Sequence, residues 1–319
     1  HEVSEMTMMR TVSISEYGGP EVLKTHEVAR PIAAADELLI RVCAIGINPI
    51  DWKLREGYAK ERIPLEMPAI LGTDVSGIVE AVGDGVSDFK IGDAIFSMRG
   101  LSGAYAEFVT VKAIHAAHKP ATLTHVQAAS VPLAALTAWQ AMFDLGGLER
   151  EQTVLVHAAA GGVGGFAVQL AKHTGARIAA TTSAKNERFV RELGADDVID
   201  YRQHAFEEQL ADVDLVLDLV GGDTTARSLD VLRPGGRLVR VVPGDESILD
   251  KAKKKNVTLL PIMAQPSGEQ LQQIAALIDA GHLHTTIAAT FPFPDFAAAH
   301  EMSKAGRTRG KIVVEVVKT

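Results

Sequence analysis

Two patterns of apolar residues divide the chain. In the first third, short runs rich in β-branched residues are separated by glycine-containing turns, which is typical of a compact, barrel-like sheet domain. The predicted strands of this region are Thr11 to Ile14, Glu37 to Ile47, Asp74 to Val82, Asp93 to Ser97 and Tyr105 to Val111.

From about Thr124, helical stretches of ten or more residues alternate with nearly continuous apolar runs. Such runs are expected for parallel strands that helices cover on both faces, so the pattern predicts an α/β, doubly wound parallel sheet of six strands. The six predicted strands are Thr153 to Ala158, Arg177 to Ser183, Asp196 to Tyr201, Val213 to Val220, Gly236 to Val242 and Val257 to Met263.

The chain returns to a β-rich texture after Gly281, and a last strand is predicted over Lys311 to Val317. The simplest arrangement is a discontinuous first domain over residues 8–126 and 284–319, with a second domain over residues 127–283. Alternatively, the last residues extend the second domain.

Composition and charge indicate a globular protein and argue against some classes of partner. Hydrophobic residues make up 47% and charged residues 23%, an ordinary globular balance, and the net charge of −8 argues against a nucleic-acid partner. No run of about 18 apolar residues exists, so no membrane span is expected. His1 to Met9 lack the apolar core of a secretory signal and resemble a flexible leader, and the single Cys43 excludes an internal disulfide. These features predict a cytoplasmic location.

The sharpest motif is a glycine-rich turn between a predicted strand and a predicted helix. The segment from Ala158 to Gly164 follows the pattern A-x-x-G-x-x-G, with alanine where the first glycine usually stands. Glycines let the backbone approach a pyrophosphate, and the helix N-terminus presents free N–H groups to the anion. The backbone predicted to hold a dinucleotide consists of Ala160, Gly161, Gly162, Val163 and Gly164.

The end of the second strand of this domain indicates which nicotinamide cofactor is bound. NAD sites place an acidic residue there to hold the ribose 2′-hydroxyl group. This strand tip carries Ser183 and then Lys185, while the acidic Glu187 comes later. Either Lys185 or Arg188 can neutralise a 2′-phosphate, so NADP(H) is the predicted cofactor; the alternative for Lys185 is a solvated surface position.

With these residues in place, the sequence resembles the zinc-independent, zeta-crystallin-like quinone oxidoreductases of the medium-chain dehydrogenase/reductase superfamily. The resemblance covers nearly the whole chain. The segments that carry it are Gly46 to Lys53, Leu71 to Gly83, Gly92-Asp93, Ala128 to Trp139, the glycine turn, Asp218 to Gly222 and Gly310 to Val314. It implies a GroES-like catalytic domain, a Rossmann NADP(H)-binding domain and a homodimer. It also implies cofactor contacts for Thr137, Tyr201, Val220 and Gly221.

The zinc enzymes that resemble this family place a catalytic cysteine where Asn48 stands and Gly-His-Glu where Gly72-Thr73-Asp74 stands. Neither ligand type is present, so no metal is expected. Without a metal to polarise an alcohol, reduction of an already electrophilic acceptor is favoured. The sequence therefore predicts an NADPH-dependent reductase of a small quinone or other α,β-unsaturated carbonyl.

Asn48, Asp51 and Lys53 are the predicted catalytic residues. The Asn48 amide could donate to a developing oxyanion, or Asn48 could instead cap the next helix. Asp51 could form a helical ion pair with Arg55. Lys53 could supply a proton, touch the cofactor or lie at the surface. Lys311 could make a charge contact or lie at the surface. Other functions left open are a zinc-free alcohol dehydrogenase, an enoyl-thioester reductase and an NADPH-binding structural or regulatory protein without turnover.

Overall fold

The computed structural model describes residues 7–317, which form two compact units. The first unit contains the described residues up to Leu133, Pro266–Gly281 and the chain from Thr285, and the second contains Ala134–Gln265 and His282–His284. The domain limits given by the sequence remain a prediction. Of the expected leader, residues 1–6 lie outside the described residues, whereas Met8 and Met9 belong to the first strand.

The chain contains both strands and helices in each unit. The strands are β1 (Met8–Ile14), β2 (Lys24–Ala29), β3 (Glu37–Ile47), β4 (Ala69–Ile70), β5 (Asp74–Val82), β6 (Ala94–Met98), β7 (Phe108–Lys112), β8 (Ala116–His118), β9 (Thr153–Val156), β10 (Arg177–Thr182), β11 (Asp197–Asp200), β12 (Val213–Asp218), β13 (Leu232–Arg240), β14 (Thr258–Pro261), β15 (Ile287–Pro292) and β16 (Lys311–Glu315).

The α-helices are α1 (Pro49–Glu56), α2 (His125–Ala129), α3 (Pro132–Trp139), α4 (Gly162–Thr174), α5 (Glu187–Leu193), α6 (Asp223–Ser228), α7 (Ile248–Lys254), α8 (Gly268–Asp279) and α9 (Phe296–Ala305). A π-helical segment, Gln140–Leu145, continues α3. Short 3-10 turns lie at Pro20–Val22, Ala113–His115, Ala184–Asn186 and Phe206–Glu208.

The first unit is built on a largely antiparallel sheet in the order β15-β16-β3-β5-β6-β8, with β7 also paired to β3. β3 is its longest strand, and most of its apolar residues are buried in the core of this unit. β16 pairs antiparallel with β3, Val313 opposite Gly46, so the last predicted strand joins the β-rich part of the chain. A smaller sheet has the order β2-β1-β4.

The second unit contains a six-stranded, fully parallel sheet in the order β11-β10-β9-β12-β13-β14. This is the order of a doubly wound dinucleotide-binding domain, so the predicted α/β fold class is confirmed. The chain winds outward from β9 to β11, then returns to β12 on the other side of β9. In such sheets ligands bind outside the carboxyl ends of the strands at this reversal.

Four strands were not predicted: β2, β4, β8 and β15. β2 lies almost entirely in solvent and carries mostly polar residues, so it lacks the alternation of a half-buried strand. β4 and β8 are only two and three residues long. Within residues 7–317, none of the helices has the length and apolar character needed to cross a bilayer.

Candidate functional site

The glycine turn of the second unit joins β9 to α4, as the sequence predicts. Gly161 occupies the N-cap position, and α4 begins at Gly162. A Cβ atom added to Gly164 would overlap the carbonyl oxygen of Ala158 and crowd the Cα of Ala159. Only glycine therefore allows α4 to lie this close to the turn. The first N–H groups of α4 have no acceptor within the helix, which makes this end electropositive.

Ala158 shows why glycine is usual at the start of this motif. Its φ of 49° lies in the left-handed region, which L-residues adopt at a cost of about 1–2 kcal/mol. The turn keeps this geometry without glycine because the Ala159 backbone N–H donates to the Thr181 carbonyl at 3.1 Å and the Gly161 N–H donates to the Ala158 carbonyl at 3.0 Å. Ala158 therefore holds a left-handed conformation that glycine would adopt at lower cost.

The tip of β10 carries no acidic side chain. Ser183 is buried directly after the strand, its Oγ lies 3.4 Å from Asn186 Nδ2, and Lys185 is exposed in the following 3-10 turn. Glu187 is the first residue of α5 and its carboxylate pairs with Arg191 at 3.1 Å. The first carboxylate after the tip of β10 is therefore paired with an arginine on α5.

The adjacent strand brings a further predicted residue to the same place. The backbone N–H of Tyr201 donates to the Thr182 carbonyl at 3.3 Å, so Tyr201 follows β11 beside the tip of β10. The carboxylate of Asp200 accepts the backbone N–H of Arg202 at 3.0 Å and closes this turn. The structure thus brings Ser183, Lys185 and Tyr201 to neighbouring strand ends.

The loop after β12 is shaped by a buried aspartate that the sequence did not mark as functional. Asp218 Oδ1 accepts the backbone N–H groups of Val220 at 3.0 Å and Gly221 at 2.9 Å, and Oδ2 accepts the Thr225 hydroxyl. Gly221 has a φ of 82°, a conformation that favours glycine. Asp218 therefore holds the loop that the family resemblance assigns to the cofactor.

Three apolar side chains stand in solvent at the carboxyl ends of the parallel strands. Tyr201 after β11, Val220 after β12 and Met263 after β14 are 55%, 52% and 57% exposed. A ligand lying along this edge would cover them, and such covering is favourable. Thr137, also assigned to the cofactor, is buried on α3.

The second unit also contains a buried histidine. The imidazole of His157 lies 2.8 Å from Thr181 Oγ1 through Nδ1 and 2.8 Å from Ser228 Oγ through Nε2. Because the Ser228 hydroxyl donates to the Thr224 carbonyl, it accepts from Nε2–H, and Nδ1 accepts from Thr181. Burial lowers the pKa of His157 to about 4, so the ring is neutral at pH 7.

In the first unit, Asn48 is the centre of a closed polar cluster. It occupies the N-cap position of α1, yet its side chain makes no capping hydrogen bond. Asn48 Nδ2 donates to Thr73 Oγ1 at 2.8 Å and to Asp74 Oδ2 at 3.0 Å, while Oδ1 accepts from the Lys311 ammonium group. Both amide protons are thus engaged. Donation to an oxyanion requires one of these bonds to exchange.

Asp51 ends a chain of directed hydrogen bonds. Arg55 can only donate, so His300 Nδ1 accepts from it at 2.9 Å and Nε2 carries the proton. Nε2–H donates to the Tyr105 hydroxyl oxygen at 2.8 Å, and that hydroxyl donates to Asp51 Oδ2 at 2.7 Å. Asp51 Oδ2 also accepts the backbone N–H of Asn48 at 3.0 Å, whereas Asp51 Oδ1 is buried without a hydrogen-bond partner.

Burial changes the proton affinity of these groups. It raises the pKa of Asp51 to about 7 and that of Asp74 to about 6, although hydrogen bonds and Lys311 oppose the shift. Burial also lowers the pKa of His300 to about 3 and lowers the pKa of Lys311. Asp51 can therefore exchange a proton near neutral pH.

Two interpretations drawn from sequence are wrong. The surface position given as one alternative for Lys311 is wrong, because Lys311 is buried and its Nζ also donates to the Ile47 carbonyl at 2.9 Å. Asp51 does not form the helical ion pair with Arg55. The guanidinium group of Arg55 is turned toward His300 and Glu56, the latter at 3.1 Å. In both cases a partner distant in sequence outweighs local spacing.

Lys53 is partly buried on α1 and stands apart from the cluster. Its Nζ lies 5.7 Å from the centre of the Trp52 ring, a cation–π arrangement. The structure therefore joins Asn48 and Asp51 through a backbone hydrogen bond but does not bring Lys53 to them. Over residues 7–317, no group of three or more His, Cys, Asp or Glu side chains is arranged to hold a metal ion.

The chain matches two known family profiles. Residues 34–121 match the alcohol dehydrogenase GroES-like domain, and residues 193–314 match a family described as zinc-binding dehydrogenase. The mitochondrial NAD(P)H oxidoreductase RTN4IP1 of Danio rerio is 35% identical over 98% of this chain and 92% of that protein. The chloroplastic quinone-oxidoreductase homolog of Spinacia oleracea is 32% identical over 97% of this chain and 98% of its own length.

Among solved structures, the quinone oxidoreductase of Escherichia coli complexed with NADPH superimposes with a TM-score of 0.88 at 32% identity, covering 96% of this chain and all of that one. The names of the relatives contradict the predicted cytoplasmic location, because they place those proteins in mitochondria and chloroplasts. Composition alone could not distinguish one cellular compartment from another. The chain belongs to the quinone oxidoreductase family of the medium-chain dehydrogenases/reductases and is an oxidoreductase of the NAD(P)H-dependent type.

Proposed function

We propose that this protein is an NADPH-dependent reductase of quinones or other α,β-unsaturated carbonyls that works without a metal. The observation that carries the proposal is the β9–α4 turn, where Gly164 packs against the Ala158 carbonyl and opens the helix N-terminus to an anion. The NADPH complex of the similar Escherichia coli enzyme supports a nicotinamide cofactor.

In this proposal, the backbone from Ala160 to Gly164 holds the pyrophosphate. Ser183 and Lys185 bind the 2′-phosphate, and Tyr201 stacks beside it; the absence of a carboxylate at the tip of β10 removes a charge that would repel that phosphate. Val220 and Gly221 border the nicotinamide ribose on a loop that Asp218 holds in place. Thr137 completes the set of cofactor residues.

The bound cofactor supplies a hydride, and the protein supplies orientation and a proton. Asp51 is suited to hold that proton, because its pKa of about 7 places both protonation states within reach at neutral pH. Asn48 positions Asp51 through its backbone N–H, and its amide is the group that can exchange a hydrogen bond with a carbonyl oxygen. Lys53, near Trp52, is assigned to a contact with the ligand.

A conjugated carbonyl suits such a site because hydride addition gives an enolate or hydroquinone anion that conjugation already stabilises. No metal ion is then needed to polarise the acceptor. The relatives named quinone oxidoreductase support this acceptor class. A homodimer is the assembly that we propose on the basis of the family.

The test is steady-state oxidation of NADPH with four acceptors: 1,4-benzoquinone, 9,10-phenanthrenequinone, an alkyl vinyl ketone and a crotonyl thioester. We expect turnover with the quinones or the ketone. Turnover of the thioester alone would make the protein an enoyl-thioester reductase. Tight NADPH binding without turnover of any acceptor would instead indicate a binding or regulatory protein.

A further inference from the structure

Arg240 is the last residue of β13 in the second unit and lies at the carboxyl edge of the parallel sheet. In the strand register it stands beside Asp218 of β12 and Pro261 of β14. Its side chain is only 9% exposed. A guanidinium group in this position is at the edge where ligands of doubly wound sheets bind.

Arg240 has no acidic side chain at ion-pair distance in the part of the chain that the structure describes. Its Nε is buried without a hydrogen-bond partner, and within residues 7–317 the guanidinium forms neither a hydrogen bond nor an ion pair. Buried arginine is normally paired, because an uncompensated charge away from water is strongly unfavourable. An arrangement that leaves it unpaired indicates a partner from outside the chain.

Two acidic residues near the end of β13 make hydrogen bonds to other groups. Asp218 is fully buried, and its carboxylate is used by Val220, Gly221 and Thr225. Asp245 is exposed, and its carboxylate accepts the backbone N–H of Ser247 at 2.9 Å. Over residues 7–317 neither carboxylate forms an ion pair with Arg240. The hydrogen bonds from Ser247 are the main cause of the lowered pKa of Asp245, and the charge of Arg240 adds a smaller effect from a longer distance.

A glycine backbone lies directly beside the guanidinium group. Gly244 lies so close to Arg240 Nη1 that a Cβ atom there would overlap it. On the preceding loop, a Cβ on Gly221 would press against Val242 at 2.5 Å. Gly244 therefore packs against the guanidinium as bare backbone, and no side chain at that position covers it.

We propose that Arg240 is an anion-binding residue that takes a phosphate or carboxylate group of a ligand bound at this edge. The planar guanidinium fork matches either group in a two-point hydrogen bond. The site is separate from Lys185, which follows β10, because β9 and β12 lie between β10 and β13 in the sheet. The anion belongs either to the cofactor or to the acceptor, and the proposal does not require that the protein be a reductase.

The experiment compares the wild type with Arg240→Met and Arg240→Lys. Isothermal titration measures the affinities for pyrophosphate, reduced nicotinamide mononucleotide and NADPH. Steady-state kinetics compare acetylacrylate, an enone that carries a carboxylate, with its neutral methyl ester. Arg237→Met is the matched control, since Arg237 lies on the same strand but is exposed.

If the anion belongs to the cofactor, Arg240→Met weakens binding of all three phosphate ligands about tenfold or more. If it belongs to the acceptor, phosphate affinities stay unchanged and the preference for acetylacrylate over its ester falls about tenfold. Arg240→Lys retains part of either effect, and Arg237→Met changes neither. Unchanged binding and unchanged preference in Arg240→Met would overturn the proposal. If the wild type shows no turnover, the binding titrations alone test the proposal.

Unfolding temperatures distinguish a ligand-binding role of Arg240 from a purely structural one. Methionine keeps the apolar stem and removes an unpaired buried charge, so Arg240→Met should unfold at the same temperature as the ligand-free wild type or above it. If the anion belongs to the cofactor, pyrophosphate should raise the unfolding temperature of the wild type more than that of the variant. A variant that unfolds earlier and binds every ligand poorly, the neutral ester included, would show that Arg240 is only structural.

Discussion

The two units hold polar groups in different ways. In the second unit, the candidate cofactor residues are backbone N–H groups at a helix start and side chains at strand ends, several of them exposed. In the first unit, the cluster around Asn48 is closed, and its carboxylates, ammonium and imidazole are all buried. An open, backbone-built site can take a ligand without rearrangement, whereas a closed cluster of charges can tune protons. The following substitutions test this division, from the largest expected effect to the smallest.

Replacing Gly164 with valine should have the largest effect on the second unit. Its Cβ would overlap backbone atoms of Ala158 and Ala159, which cannot move as a side chain can. We expect NADPH binding to fall below detection and the free energy of unfolding to drop by about 3 kcal/mol or more. The measurements are NADPH titration and urea unfolding.

The neighbouring glycine gives the control. A Cβ on Gly165 would meet only Leu193 Cδ1 at 3.7 Å and the Ala159 carbonyl oxygen at 3.9 Å, which are ordinary contacts. Gly165→Ala should bind NADPH as the wild type does and gain up to about 1 kcal/mol of stability from helix propensity. Equal behaviour of the two variants would contradict the packing described for this turn.

Lys311→Met tests the closed cluster. It removes the ammonium group that balances Asp74 and Asp51, so we expect a loss of about 3–5 kcal/mol in the free energy of unfolding at pH 8. The loss should shrink toward pH 5, where both carboxylates are protonated in the folded state. Urea unfolding at the two pH values measures this, with exposed Lys60→Met as control. A loss independent of pH would mean that Lys311 contributes packing alone.

Protonation of His157 should make the free energy of unfolding depend on pH in mildly acidic solution. Its pKa is about 4 when folded and about 6.5 when unfolded, so its contribution to stability is complete above pH 6.5 and declines as the pH falls. At pH 5 the decline amounts to about 2 kcal/mol. His157→Gln should lower stability at pH 8 yet flatten the change between pH 8 and 5. A slope unchanged by this substitution would show that His157 does not titrate in that interval.

The smallest expected effect belongs to an exposed charge at the strand tip. Lys185→Ala should weaken NADPH binding about tenfold and leave NADH binding nearly unchanged, because only NADPH carries the 2′-phosphate. Arg188→Ala is the matched comparison, since Arg188 is exposed nearby and pairs with Glu192 at 2.8 Å. Fluorescence titration gives both constants. An equal loss for the two cofactors would remove Lys185 from the proposed phosphate site.

The same division explains what the sequence could predict. The glycine turn lies within seven consecutive residues, 158–164, and the six parallel strands are apolar runs, so both were predictable from local pattern. The cluster around Asn48 joins segments near residues 48, 74, 105, 300 and 311, and no local pattern relates them. Lysine is usually a surface residue, so the sequence gives no reason to bury Lys311. Only the pairing of β16 with β3 places Lys311 beside Asn48.

Some signals were present but ambiguous. Asp51 at the third position of a helix that follows Asn48 indicates a capping arrangement, and its backbone half is formed at 3.0 Å. The Asn48 side chain instead bonds to Thr73 and Asp74, because a buried amide with charged partners gains more there than at the helix end. The proposed role of Arg240 could not be predicted from the sequence, since a single arginine at a strand end forms no recognisable motif.

The central claim is NADPH-dependent reduction of a conjugated carbonyl without a metal. The most direct measurement is kcat/KM for NADPH and NADH with 9,10-phenanthrenequinone, before and after dialysis against a strong chelator. We expect turnover that the chelator does not change, with a preference for NADPH of about tenfold or more. Loss of turnover that returns only when zinc is restored, or an equal use of both cofactors, would contradict this account.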